Sequence, residues 1–155
     1  MVKSLTNPFL GAPTPLGSLL TAAGQRLSSR LDTALRDAGF PDLRAAHAPV
    51  FMAIDPEGTR ATVLARRTKM TKQAVGELVR YLVGEGYVSI AADPADRRAK
   101  LVSLTAEGWR AIAVGEQVIA GFDLWLEGQI GAGAVAELRR TLDLIAGADD
   151  PGAGG

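Results

Sequence analysis

Residues 70–108 read MTKQAVGELVRYLVGEGYVSIAADPADRRAKLVSLTAEG, and this stretch decides the fold. Its first part repeats apolar residues at helical spacing, which predicts a helix with one buried face over Lys72–Glu85. Two short runs rich in β-branched residues, Tyr87–Ala91 and Lys100–Leu104, then predict strands on either side of a polar turn. The stretch therefore predicts a helix followed by a two-stranded antiparallel ribbon.

The turn of this ribbon is cationic. Its sequence, DPADRRAK over Asp93–Lys100, places Arg97, Arg98 and Lys100 at the predicted tip. A solvated hairpin tip is the plain alternative. Because the ribbon follows a predicted helix-turn-helix, we favour contact with a polyanion, and DNA is the first candidate.

The charge of the chain is polarised although its total is zero. Seventeen basic side chains balance seventeen acidic ones over 155 residues, a length that suits one domain or one domain with a dimerisation element. Residues 60–110 carry ten basic and five acidic side chains, whereas residues 111–155 carry two and seven. A basic middle of this kind indicates that one face meets an anion.

Composition excludes several classes of function. The chain has no cysteine, so disulfides, zinc–cysteine sites and thiol redox sensing are ruled out. With a single histidine and no convergent carboxylate pair, the sequence predicts neither an enzyme nor a metal or other cofactor. It also shows no signal peptide and no apolar run long enough to span a bilayer, so we expect a cytoplasmic protein without a membrane partner.

Further helices are predicted on both sides of the central stretch. Before it lie helices over Pro15–Ala38, over about Arg44–Ile54 with Pro49 forcing a start or a kink, and over about Arg60–Arg67 with Thr59 as N-cap. After it lie helices over Ala106–Gln129 and about Ala134–Ala146. The long helix after residue 105 is apolar on two sides, so each side needs another element to cover it, and one of these can be a second subunit.

These elements make a mainly α protein with a small two-stranded antiparallel wing. The fold class is a winged helix-turn-helix, with N- and C-terminal helices at about 15–39 and 106–146 around a DNA-binding lobe at about 44–105. We predict a flexible arm over 1–14, a single winged-helix chain over 15–146 and a disordered tail over 147–155.

The helix over Lys72–Glu85 is the predicted recognition helix. Its polar N-terminal end suits the major groove, where a glutamine can read an adenine edge and a helix N-terminus can hold a phosphate. An ordinary exposed helix face, with the threonine serving only as a cap, is the alternative. The predicted DNA-binding residues in and before this helix are Lys69, Thr71, Lys72, Gln73, Gly76 and Arg80.

At this point the chain resembles the MarR family of bacterial transcriptional regulators. The resemblance is carried by L-V-x-E-G-Y-V at Leu82–Val88, D-P-x-D-R-R at Asp93–Arg98 and L-V-x-L-T-x-x-G at Leu101–Gly108. It implies that Asp96 structures the wing and that Arg97 contacts DNA. It also implies an obligate homodimeric regulator on a palindromic operator, with the N- and C-terminal helices as dimerisation helices. Repression and control by a small ligand at the domain junction are further implications.

The chain departs from the family pattern in its recognition helix, where Gly76-Glu77 stands in place of a frequent Thr-Arg. His47 stands where glutamine is common. His47 and Trp109 are candidates for a pocket that binds a small aromatic or apolar effector; a hydrogen-bonded histidine and a packing tryptophan are the plainer interpretations. The alternative function is a winged-helix protein-interaction module that does not bind DNA.

Overall fold

The computed structural model describes residues 10–147. The predicted arm over 1–14 lies mostly outside this range, as does the predicted tail over 147–155, and residues 10–12 form a turn. The helices are α1 (Leu16–Asp37), α2 (Ala48–Ala53), α3 (Ala61–Thr68), α4 (Lys72–Gly84), α5 (Ala106–Ile130) and α6 (Ala132–Gly147). The strands are β1 (Thr59–Arg60), β2 (Val88–Asp93) and β3 (Asp96–Leu104), and a single 3-10 turn, Ala45–His47, precedes α2.

The winged-helix architecture predicted from the sequence is confirmed, with helix bounds close to the predicted ones. Pro49 occupies the second position of α2, where its missing N–H leaves no hydrogen bond unmade. Of the two outcomes open for this proline, a helix that starts beside it is the one observed.

The predicted antiparallel pair of the wing, β2 and β3, is confirmed, and the sheet has a third strand, β1, that was not predicted. β1 pairs with the base of β3 in an antiparallel ladder, with Thr59 opposite Val102 and Arg60 opposite Leu101. The order across the sheet is β1-β3-β2. A strand of two residues is too short to show alternation in sequence, and this is why the pattern missed it.

Thr59 does not cap α3, because it belongs to β1 and is buried. Its hydroxyl accepts a hydrogen bond from the Asp55 amide at 2.8 Å and donates one to the Asp55 carboxylate at 3.1 Å. The residue at the N-cap of α3 is Arg60, whose side chain makes no capping bond. Thr59 instead closes the turn that carries the chain from α2 into the sheet.

The chain divides between Gly115 and Glu116 into two compact units. In the first unit, α2, α3 and α4 pack around a common core. The largest fully buried side chains of the described residues are Val50, Leu64, Val75 and Leu82. Burying each of them stabilises the fold by about 1.5–3 kcal/mol relative to leaving it exposed. The second unit contains the C-terminal part of α5 and all of α6, and Val135 is its buried residue in α6.

The start of α5 lies against the start of β2. Thr105 donates its hydroxyl to the Gly86 carbonyl at 2.7 Å and accepts the Gly108 amide at 3.1 Å, while its own amide donates to the Tyr87 carbonyl. A Cβ atom on Gly108 would collide with that same backbone carbonyl. Glycine is therefore required at the end of the L-T-x-x-G sequence because α5 approaches the backbone of Tyr87.

Replacing Gly108 by alanine should destabilise the protein by about 1–3 kcal/mol, because the new methyl group meets backbone that cannot move aside. Gly76→Ala is the matched control: a Cβ there meets nothing within 4 Å. Alanine at that helical position should raise stability by about 0.5–1 kcal/mol. Urea unfolding measures both changes, and a Gly108→Ala protein as stable as wild type would contradict the close approach.

Candidate nucleic-acid interface

The turn between α3 and α4 is short and tightly closed. Lys69 adopts a left-handed backbone conformation with φ of 54°, the only non-glycine residue with positive φ in the described part of the chain. Behind it, the Met70 amide donates to the Ala65 carbonyl at 3.1 Å, which closes the C-terminus of α3. This turn sets the start of α4 immediately after α3, in helix-turn-helix arrangement.

Thr71 is the N-cap of α4, as the sequence predicted. Its hydroxyl oxygen accepts a hydrogen bond from the Ala74 amide at 3.1 Å. One of the orphan N–H groups of the first turn is thereby satisfied, and the others remain at the exposed end of the helix. Such an end is suited to an anion, since both the amides and the helix dipole favour negative charge.

The two faces of α4 differ sharply. Val75, Val79 and Leu82 are buried and hold the helix on the core. The predicted contact residues Lys72, Gln73 and Arg80 are all exposed, and Gly76 leaves open space above the backbone. The structure therefore presents a polar and cationic surface on the side that the core does not use.

Glu77 lies on this same outward face. Its carboxylate accepts a hydrogen bond from the side-chain amide of Gln73, Nε2 to Oε1, at 3.2 Å. The structure therefore pairs Glu77 with Gln73. The four-residue spacing brings the two side chains together one helical turn apart.

The wing differs from the predicted ribbon at its tip. β2 and β3 are joined by a tight turn at Pro94-Ala95, with Asp93 opposite Asp96, and the ladder below resumes with Ala92 opposite Lys100. Residues 97–99 are therefore extra residues on the β3 side, forming a bulge. Arg97, Arg98 and Lys100 are exposed as expected, but they lie on β3 rather than at the tip of the turn.

Asp93 fixes the base of this tip and was missed in the sequence. Its buried carboxylate accepts the Ala95 amide at 2.8 Å and the Arg60 guanidinium, whose Nε donates at 2.8 Å. These hydrogen bonds, the Ala95 one first, lower the pKa of Asp93. Asp96, the predicted wing-structuring residue, accepts the Arg98 amide at 3.1 Å and lies 3.8 Å from Arg60.

A sequence signal for Asp93 did exist: an aspartate before a proline turn commonly accepts the amide two residues on. No comparable signal identified Arg60. Its partner is 33 residues away in the chain, and the strand that carries it is too short to recognise.

Another cation of this region has an internal role. Arg67 donates to the Ala53 carbonyl at 2.7 Å and to the Asp55 carboxylate at 2.8 Å. The pair lowers the pKa of Asp55 and raises that of Arg67, first through this hydrogen bond. Arg67 therefore joins α3 to the end of α2.

His47, a candidate for the effector pocket, contacts the recognition helix. Its ring stacks on Tyr81 of α4 with centroids 5.2 Å apart, and its Nδ1 accepts the Arg44 amide at 3.0 Å. Tyr81 in turn donates its hydroxyl to the Asp42 carbonyl at 2.7 Å. Burial, and then the charge of Arg44, lower the pKa of His47. A neutral ring is what this acceptor role requires. The second candidate, Trp109, is 44% exposed on α5.

Two negative observations apply to residues 10–147. No cluster of three or more histidine, aspartate or glutamate side chains is arranged to hold a metal ion within that range. Nor does any helix there combine the length and the apolar character needed to cross a membrane.

The family model described as MarR family matches residues 42–99. This segment contains α2, α3, α4 and most of the wing. The winged-helix segment belongs to the MarR family. The resemblance seen in the sequence is thereby confirmed.

Similar proteins extend the likeness beyond that MarR-family segment. Transcriptional regulator HosA of Escherichia coli O111:H- is 34% identical over 84 residues, which are 51% of this chain and 62% of HosA. The match therefore spans less than two thirds of that relative. CouR from Rhodococcus jostii RHA1, solved with p-coumaroyl-CoA bound, is 29% identical, with a TM-score of 0.70 over 87% of this chain and 94% of its own. A MarR-family regulator from Rhodococcus sp. RHA1 is 27% identical, with a TM-score of 0.66 over 87% and 97%.

Lys69→Gly should make the protein about 1 kcal/mol more stable than Lys69→Ala, because only glycine adopts the left-handed conformation without a steric cost. Both variants lose the same cation, so the comparison isolates the backbone. Chemical unfolding of the two variants side by side is the measurement. An alanine variant that equals or exceeds the glycine variant would show that φ at this turn costs nothing.

Asp93→Asn should lower stability at neutral pH, because asparagine lacks the charge that Arg60 and the Ala95 amide bind. Because the pKa of Asp93 is lowered in the folded protein, its carboxylate contributes fully to the free energy of unfolding above the pKa of an ordinary aspartate, about 3.9. This contribution is then lost as the pH falls through the folded-state pKa. Urea midpoints of wild type and variant should therefore converge in acid. A gap that persists into strong acid would remove the carboxylate from the explanation.

Proposed function

We propose that this protein is a sequence-specific DNA-binding transcriptional regulator that uses α4 in the major groove and the wing on the flanking DNA. The observation that carries the proposal is the division of α4 into a buried stripe and an exposed face. That face begins at a capped N-terminus and bears Lys72, Gln73 and Arg80. A protein-interaction version of this fold would instead present apolar residues at the start of its helix.

Charge supports the same choice of partner. Half of the ten basic side chains of residues 60–110 lie in the two elements proposed to face DNA: Lys72 and Arg80 in α4, and Arg97, Arg98 and Lys100 in β3. Phosphate contacts by Lys69 and Lys100 would give affinity without sequence information. Each such contact also makes binding weaken as salt increases. The exposed position of Arg97 in the bulge suits the minor groove, whose negative potential attracts arginine.

The proposal includes a homodimer on a palindromic operator. Several apolar side chains are exposed in the single chain although they belong to amphipathic helices, and a second subunit would cover them. Two recognition helices would then enter successive major grooves about 10 bp apart. Within α1, α5 and α6, the most exposed of these side chains are Leu16 and Leu19, Leu124, and Leu144 and Ile145.

We further propose repression in the cytoplasm under control of a small aromatic or apolar effector. The name of HosA supports the regulatory role, and the p-coumaroyl-CoA bound to CouR supports a ligand. In this chain His47 and Trp109 are the proposed contact residues. His47 stacks directly on Tyr81 of α4, so a ligand that displaced its ring would act on the recognition helix.

Selection of bound sequences from a random duplex pool at fixed salt tests the proposal. A palindromic consensus with half-sites one helical turn apart would support DNA binding and dimer symmetry together. Absence of enrichment would favour the protein-interaction module. Light scattering of the free and DNA-bound chain then gives the number of subunits.

Arg97→Ala should lower operator affinity about tenfold while the fold stays intact, because the variant removes one groove contact from an exposed bulge. Arg140→Ala is the matched control, since Arg140 is an exposed cation of α6 that pairs with Glu137. Mobility shift measures affinity, and circular dichroism checks folding. Equal affinity of wild type and Arg97→Ala would remove the wing from DNA recognition.

A further inference from the structure

The outward face of α4 carries a carboxylate where phosphate repulsion should disfavour one. Glu77 is exposed there, one turn from Gln73 and on the same helix as Lys72 and Arg80. It does not form part of the core, whose residues on this helix are Val75, Val79 and Leu82. An acidic residue in this position needs a use that offsets its repulsion from the DNA backbone.

We propose that Glu77 is a specificity-determining residue: it orients Gln73 to read adenine and itself accepts the exocyclic amine of a cytosine. This inference rests on the proposed DNA binding by α4 and adds the chemistry of the bases that α4 reads. It is carried by the hydrogen bond between the two side chains and by the open space beside Gly76.

The hydrogen bond determines which way the Gln73 amide points. An ionised carboxylate only accepts hydrogen bonds, so the amide must turn its nitrogen toward Glu77, as observed for Nε2 and Oε1 at 3.2 Å. The opposite orientation would place the amide oxygen against the carboxylate. Glu77 therefore holds one of the two amide orientations and leaves Gln73 with one free N–H and its oxygen.

That remaining pair of groups matches one base. Adenine presents an acceptor, N7, and a donor, the N6 amine, on its major-groove edge, and an amide can bond both. Guanine presents two acceptors, N7 and O6, so the amide oxygen of Gln73 would face an acceptor. With its orientation held by Glu77, Gln73 discriminates adenine from guanine.

The carboxylate has more lone pairs than Gln73 uses, and a donor from DNA can fill them. Only cytosine and adenine present an amine in the major groove, and cytosine N4 is the usual partner of an acidic side chain. Four residues of helix rise by about 6 Å. Base pairs are about 3.4 Å apart along the helix axis. The two recognised bases are therefore one or two steps apart.

Gly76 permits the approach that this contact needs. A Cβ at that position would meet nothing within 4 Å, so the side of α4 next to Glu77 is unobstructed. A carboxylate side chain is short compared with arginine, and the helix must come close to the bases for it to reach them. The two residues that depart from the family pattern therefore act together. Gly76 lets α4 come close to the bases, and Glu77 accepts a hydrogen bond from a base.

The experiment uses the full chain and the operator selected with wild type. Affinities of wild type, Glu77→Gln and Glu77→Ala are measured on duplexes with every base pair at each half-site position. Glu85→Gln is the matched control, because it removes one exposed negative charge at the C-terminal end of the same helix. One further duplex replaces the preferred cytosine by a pyrimidin-2-one nucleotide, which lacks the exocyclic amine.

Wild type should prefer cytosine at one position by about 5- to 150-fold, with an adenine preference one or two steps away. Glu77→Ala should lose the cytosine preference and weaken the adenine preference, whereas Glu85→Gln keeps both. Glu77→Gln should weaken both preferences, because a neutral amide oxygen is a poorer acceptor than a carboxylate. The amine-free duplex should weaken wild type but leave Glu77→Ala unchanged. If wild type selects an operator and both Glu77 variants keep its profile, the inference is overturned and DNA binding stands. If wild type selects nothing, the proposed function falls and the inference falls with it.

Discussion

The ion pair between Arg60 and Asp93 is the contact on which the geometry of the interface depends. Arg60 stands at the end of β1 and immediately before α3, whereas Asp93 ends β2 at the wing tip. Their hydrogen bonds therefore connect the first helix of the helix-turn-helix to the far end of the wing. Because Asp93 is buried and also holds the Ala95 amide, the turn and the connection form together. The contact thus fixes where the wing tip lies relative to the start of α3.

A single residue also connects several elements at the other end of the wing. Gly86 ends α4 with positive φ, its carbonyl receives the Thr105 hydroxyl, and the Tyr87 carbonyl receives the Thr105 amide. One threonine therefore links the end of the recognition helix, the start of β2 and the first turn of α5. The L-T-x-x-G sequence contains both residues that this junction needs. The threonine makes the hydrogen bonds, and Gly108, which has no Cβ, leaves room for the Tyr87 carbonyl.

The sequence predicted those parts that repeat or that use strong local chemistry. The apolar period of α4 and its cap at Thr71 are both local, and the structure agrees with each. The parts that sequence reasoning missed depend on distant partners. β1 forms because Thr59 pairs with Val102, and Arg60 has a structural role because it binds Asp93. Neither pairing can be recognised from the residues next to it in the sequence. Asp96 was selected over Asp93 because the family resemblance, rather than a contact, pointed to it.

The bulge at residues 97–99 makes the length of the wing tip independent of the strand register below it. In a regular hairpin, a change in one would alter the other. Below the bulge, from Ala92–Lys100 to Val88–Leu104, the register is set by β2, β3 and their side-chain pairs. Above it, the Asp93–Asp96 turn is held by its own hydrogen bonds. Residues gained or lost between these two anchors alter only the length of the protruding segment. Small insertions or deletions in this segment would therefore change how far its arginines extend from the sheet, without shifting a side chain of the sheet to the wrong face.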